Sequence, residues 1–109
     1  MAPERKLYEK LKRVSKDILW TRIENQSLSG TPDLLGYNVN STFFTIELKV
    51  AKGDKVRLSP HQVSFHVMHP KNSFVLVEWK DKHLLFEGKQ SLEPVVDSLE
   101  DCVKYLSSL

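Results

Sequence analysis

Asp33, followed at a distance by Glu47-Leu48-Lys49, brings together the residue types that phosphodiester hydrolysis needs. That reaction calls for a divalent cation, an activated water and a counter to the negative charge on phosphate. Carboxylates are hard oxygen donors that suit Mg²⁺ or Mn²⁺. A lysine beside the cation can orient the water or offset developing charge. Side chains alternate along a strand, so Glu47 and Lys49 share one face and Leu48 takes the other. If the strand that begins at Asp33 pairs with the strand of Glu47, two acids and an amine converge.

The elements that must position them follow from periodicity. Residues 4 to 19 read as an amphipathic helix, with Leu7, Leu11, Val14 and Ile18 at helical spacing and Leu19 widening the stripe. Residues 20 to 24 read as a short strand and 25 to 31 as a loop rich in Ser and Gly. A second strand covers 33 to 37, in which Gly36 signals a bulge or close packing. Turn residues 38 to 41 lead to a third strand over 42 to 50, rich in Phe, Thr, Ile and Val. A polar loop, 51 to 58, precedes Ser59-Pro60-His61-Gln62. Ser at the N-cap, Pro at N1 and Gln at N3 open a helix that should end near His69-Pro70. Strands are expected at 73 to 78 and 83 to 86, with a turn at Asp81-Lys82 between them. A final helix should run from Glu93 or Val95 to Leu106, with Val95, Leu99, Val103 and Leu106 on its stripe. The order αβββαββα predicts an α/β fold, a central sheet flanked by helices.

The 109 residues suit one domain, spanning 1–109 around one core. An apolar content of 40% excludes a disordered chain. The lone Cys102 excludes an internal disulfide and suits a reducing compartment. No apolar run is long enough to span a bilayer, and the N-terminus lacks a secretory apolar segment, so the expected location is intracellular, in the cytoplasm, with no membrane partner. The net charge of +2 names no partner, but its distribution is uneven. Residues 1 to 22 are basic and the last stretch is acidic, and a basic half suits a phosphate backbone.

Pro32-Asp33 followed by Glu47-Leu48-Lys49 resembles the PD-(D/E)XK nuclease signature, with every lettered position filled. The longer pattern, Ser29-Gly30-Thr31-Pro32-Asp33-Leu34 and then Ser59-Pro60-His61-Gln62, is similar to the VRR-NUC branch. Members of that branch carry a glycine shortly before the aspartate and Ser-x-x-Gln after the lysine. The resemblance covers residues 5 to 80 and implies a restriction-endonuclease-like core with a mixed five-stranded sheet. It implies a DNA endonuclease using Mg²⁺ or Mn²⁺, with Asp33 and Glu47 as metal ligands and the Leu48 carbonyl as a third. Lys49 would be the catalytic lysine, and Gln62 would support it or touch the scissile phosphate. Family members often add a glutamate from the first helix. Glu9 is the best-placed candidate, with Glu4, Asp17 and Glu24 as alternatives. Small standalone members, often phage-encoded and so acting in a host cell, resemble Holliday-junction resolvases and cut branched DNA as homodimers. Phosphate contacts are expected from Lys52, Lys55 and Arg57, and from Lys10 and Arg13 on the first helix. Other readings are an end-processing nuclease on linear or flapped DNA, and a nucleic-acid-binding module that does not cut.

Each of these residues also has an ordinary reading. Glu-x-Lys on an exposed strand is an ion pair, but the flanking Phe43, Phe44, Ile46, Leu48 and Val50 argue for burial. Thr-Pro-Asp is a turn string and Gln62 a capping residue. The four histidines lack a zinc-ligand pattern. Phe65, Val67 and Met68 are expected in the core, with Trp20 and Trp79 as packing residues.

Overall fold

The computed structural model describes residues 3–23, 31–88 and 93–109. Most of the expected loop at 25–31, and with it Ser29, Gly30 and the candidate Glu24, lies outside them. Helix α1 spans Pro3–Val14, followed by strands β1 (Leu19–Arg22), β2 (Leu34–Tyr37) and β3 (Phe43–Val50). Helix α2 spans Pro60–Met68, then come β4 (Ser73–Trp79), β5 (Lys82–Glu87) and α3 (Leu99–Ser107). The five strands form one sheet in sequence order. Every neighbouring pair is antiparallel except β3 and β4, which run parallel and are joined through α2. A parallel pair needs a crossover, and α2 supplies it.

The core lies on one face of the sheet. Phe44, Ile46, Leu48, Phe74, Leu76 and Leu85 meet Leu7 and Leu11 of α1 and Cys102 and Leu106 of α3. The residues between them in β3, among them Glu47 and Lys49, point to the opposite face, where α2 lies. Gly36 is needed for close packing: a Cβ there would stand 2.5 Å from the Phe44 ring and 2.9 Å from Trp20. Those two rings meet edge to face, with centroids 5.6 Å apart. Buried Asn38 holds the β2–β3 turn and the end of α3 together. Its Oδ1 accepts from the N–H groups of Asn40 and Thr42, and its Nδ2 donates to the Leu106 carbonyl.

Three expectations need correction. Helix α1 stops at Val14 and not at 19. The Ser15 hydroxyl donates to the Leu11 carbonyl and accepts from the Trp20 indole, which turns the chain into β1, and Ile18 is buried from that turn. Helix α3 begins at Leu99, because Val95 N–H donates to the Leu85 carbonyl and Leu85 N–H to that of Val96. That extended segment pairs beside β5, and Ser98 caps the helix by accepting from Asp101 N–H. On α2, Val67 and Met68 are exposed rather than in the core, and the buried residue is His66.

Candidate active site

The β2–β3 register places Leu34 opposite Ile46, so Asp33, just before β2, comes level with Glu47. Asp33 is fixed through both its backbone and its side chain. Its carbonyl accepts from Ile23 N–H at 2.8 Å, and its Oδ2 accepts from Leu48 N–H at 2.8 Å. Glu47 is 4% exposed and its carboxyl shares a hydrogen bond with that of Asp33. Gln62 reaches across from α2, its Nε2 donating to Glu47 Oε2 at 3.0 Å. The other end of the same amide completes the helix cap. Gln62 Oε1 accepts from Ser59 N–H at 2.9 Å, and Gln62 N–H donates to Ser59 Oγ at 3.1 Å. Gln62 therefore caps the helix and supports the site at once. Lys49 is half-buried on the Glu47 face, and its charge acts on Glu47.

The Glu47 carboxyl is pushed up from 4.5 to about 8. Burial is the largest cause, followed by the charge of Asp33 and the hydrogen bond with it; Lys49 opposes the shift and Glu4 adds to it. Without a cation, the pair favours keeping a proton on Glu47. A buried Glu47 carboxyl that resists ionising, set beside the Asp33 carboxyl, forms a donor set suited to a hard divalent ion. A strand residue turns its N–H and C=O to the same side, so the Leu48 carbonyl, like its N–H, faces the Asp33 side. Among the described residues, no group of three or more His, Cys, Asp or Glu gathers to hold a metal. The groups placed where they could hold such an ion are the Asp33 and Glu47 carboxyls and the Leu48 carbonyl.

The α1 acid nearest the site is Glu4, not Glu9. Helical geometry puts Glu9 about 200° around from Leu7, on the side away from the sheet. It is exposed and pairs with Arg5 at 3.7 Å. Glu4 lies about 60° from Leu7, near the buried stripe. It lines a 380 Å³ cleft with Lys49, Lys52, Lys55 and Arg57, and its charge reaches Glu47. The helical phase of Glu4 was readable in the sequence. Asp17 is exposed beyond the end of α1. Lys52, Lys55 and Arg57 are exposed at the mouth of that cleft, around a turn held by reciprocal hydrogen bonds between Lys52 and Lys55. Lys10 is committed elsewhere. Its Nζ lies 2.7 Å from Glu78 Oε2, which His83 Nε2 also approaches at 3.0 Å. Arg13 is exposed on α1, the helix that covers the other face of the sheet.

The architecture matches solved structures. It is similar to Hjc, a Holliday junction resolvase from the archaeal hyperthermophile Archaeoglobus fulgidus, with a TM-score of 0.65 and 17% identity over 92% of this chain and 96% of that one. It is also similar to a VRR-NUC domain, with a TM-score of 0.57 and 25% identity over 72% of this chain and 87% of that one. The fold is that of the PD-(D/E)XK nucleases, in a VRR-NUC-like form. No family model matches the chain, and no curated protein does. Within this fold, the β2–β3 pairing brings Asp33 level with Glu47, and Lys49 shares the Glu47 face of β3. Among the described residues, no helix is long and apolar enough to cross a membrane.

Proposed function

We propose that this chain is a divalent-metal-dependent deoxyribonuclease that cuts branched DNA and works as a homodimer. The observation that carries the proposal is the Asp33–Glu47 carboxyl pair, with Lys49 on the same face and Gln62 holding Glu47. Asp33, Glu47 and the Leu48 carbonyl would hold Mg²⁺ or Mn²⁺, which supplies a more acidic water and screens the phosphate charge. Asp33 is preset by the Leu48 N–H, and Gln62 keeps the Glu47 carboxyl from turning away. Lys49 stands beside the acids to orient the attacking water and to offset charge on the phosphate. Lys52, Lys55 and Arg57 border the cleft next to Lys49, where they would grip the backbone. Binding should then weaken steeply with salt. Branched DNA is supported by the likeness to Hjc, itself a Holliday junction resolvase; the homodimer follows from the resemblance of the sequence to small standalone VRR-NUC nucleases.

Four-way junction, flap, linear duplex and single-stranded substrates, each with Mg²⁺, Mn²⁺ or EDTA, test the proposal. Paired symmetric cuts in the junction are expected, with loss of cutting in EDTA and in Asp33→Asn. Preference for linear ends would replace the substrate assignment with end processing. Tight DNA binding without cutting under any metal would overturn the nuclease reading.

A further inference from the structure

Helix α2 carries Gln62 to the site, yet it is not docked by an apolar stripe. Val63, Val67 and Met68 are 46%, 51% and 74% exposed. Its single buried residue is His66, 5% exposed. The His66 Nδ1 lies 2.6 Å from the Ser73 hydroxyl at the start of β4. Ser73 is itself buried and sits opposite Thr45 on β3, two residues before Glu47. Gln62 and His66 are one helical turn apart on the same side of α2. The helix thus touches the sheet through two polar anchors, Gln62 on Glu47 and His66 on Ser73.

The second anchor is closely fitted. Gly88, just after β5, donates its N–H to the Ser73 carbonyl. A Cβ at Gly88 would lie 2.9 Å from His66 Nδ1, 2.9 Å from Ser73 Oγ and 2.8 Å from the Ser73 carbonyl oxygen. Only a glycine leaves room for the pair. On its open side, His66 borders a 500 Å³ cleft with Val75, Val77, Leu84 and Phe86. The titratable groups near it are His69 at the C-cap of α2, Glu87 at the end of β5, and Asp54, which lines the same cleft. Burial, and then the charge of His69, lower its affinity for a proton. The neutral ring, protonated at Nε2, can accept the Ser73 hydroxyl proton at Nδ1.

We infer that His66 is a positioning residue for the active site: its hydrogen bond to Ser73 sets the seat of α2, and so holds the Gln62 amide against Glu47. The inference rests on the nuclease reading for its catalytic consequence, but its geometry can be tested without turnover. Three variants separate the roles. His66→Leu keeps an apolar side chain in the recess and removes the hydrogen bond. Ser73→Ala removes the partner without touching the helix. His66→Asn keeps a polar atom near the Nδ1 position. The first readout is the side-chain amide resonance of Gln62 in ¹⁵N-labelled, metal-free protein, assigned by its loss in Gln62→Ala. It should move in His66→Leu and Ser73→Ala, and stay near its native position in His66→Asn.

The second readout is kinetic, on a four-way junction with Mn²⁺. His66→Leu and Ser73→Ala should lose about tenfold or more in kcat with little change in KM, as misplaced supporting groups do. His66→Asn should recover most of that loss. A Gln62 resonance unmoved in Ser73→Ala would overturn the inference. So would equal kcat loss in His66→Asn and His66→Leu when both melt like the native protein. If His66→Leu fails to fold, Ser73→Ala decides. If the native protein does not cleave, the nuclease reading fails on its own, and the resonance still decides whether His66 sets Gln62.

Discussion

Glu47 makes the metal-free protein sensitive to alkali in a way that can be calculated. The folded state holds its proton far more tightly than the unfolded chain, with a value of about 8 against 4.5. The stability this provides is complete below about pH 4.5 and is lost as pH rises to about 8. One unit of such a shift is worth about 1.4 kcal/mol. Between pH 5 and 8, the loss should come to about 3 to 4 kcal/mol, a large share of the roughly 5–15 kcal/mol that holds a domain together. Glu47→Gln cannot ionise and should lack this slope. The assay is urea denaturation in EDTA at closely spaced pH values, for the native protein and for Glu47→Gln. The difference between the two curves isolates Glu47 from other groups. One of those is His66, whose lowered proton affinity works the other way: it adds stability that is complete above about pH 6.5 and lost as pH falls. The urea midpoint of the native protein should fall by about 2 M relative to Glu47→Gln across the range. Saturating Mn²⁺ at pH 8 should restore it, since the ion binds the ionised pair and releases its proton. A flat difference curve would refute the clustered-carboxylate account, because a buried, acid-paired Glu47 cannot ionise without cost.

Lys49→Ala should reduce cleavage by about 10²- to 10⁴-fold while Mn²⁺ binding, followed by calorimetry, changes little. Glu4→Gln should flatten the Glu47 slope slightly and weaken Mn²⁺ binding, whereas Glu9→Gln should shift stability by less than about 1 kcal/mol and leave cleavage intact, as loss of an exposed ion pair does. Calorimetry and denaturation on both variants separate the two acids. Gly36→Ala should cost about 1–3 kcal/mol in urea denaturation, because its Cβ would enter the Phe44 ring.

The parts of this molecule that could be read from sequence are those decided locally. Alternation along β3 places Glu47 and Lys49 on one face, and the Ser59–Gln62 cap starts α2 where expected. Helical phase separates Glu4 from Glu9, although proximity to the stripe in sequence favoured the wrong one. The remainder depends on contacts distant along the chain. Lys10 is a plain surface cation until β4 brings Glu78, 68 residues away, within 2.7 Å. The start of α3 is set by a pairing that is not visible locally: Val95 and Val96 bond across to Leu85 of β5. Helix α2 is the most instructive case. Its apolar residues suggested a helix seated by Phe65, Val67 and Met68, but the crossover from β3 to β4 turns Gln62 and His66 toward the sheet. A helix seated by hydrogen bonds gains less from burial than one seated by a stripe of leucines, and it depends more on the geometry of each bond. That dependence ties the position of the Gln62 amide to His66, and it makes the apolar residues on the exposed side of α2 the ones whose substitution should matter least to the site.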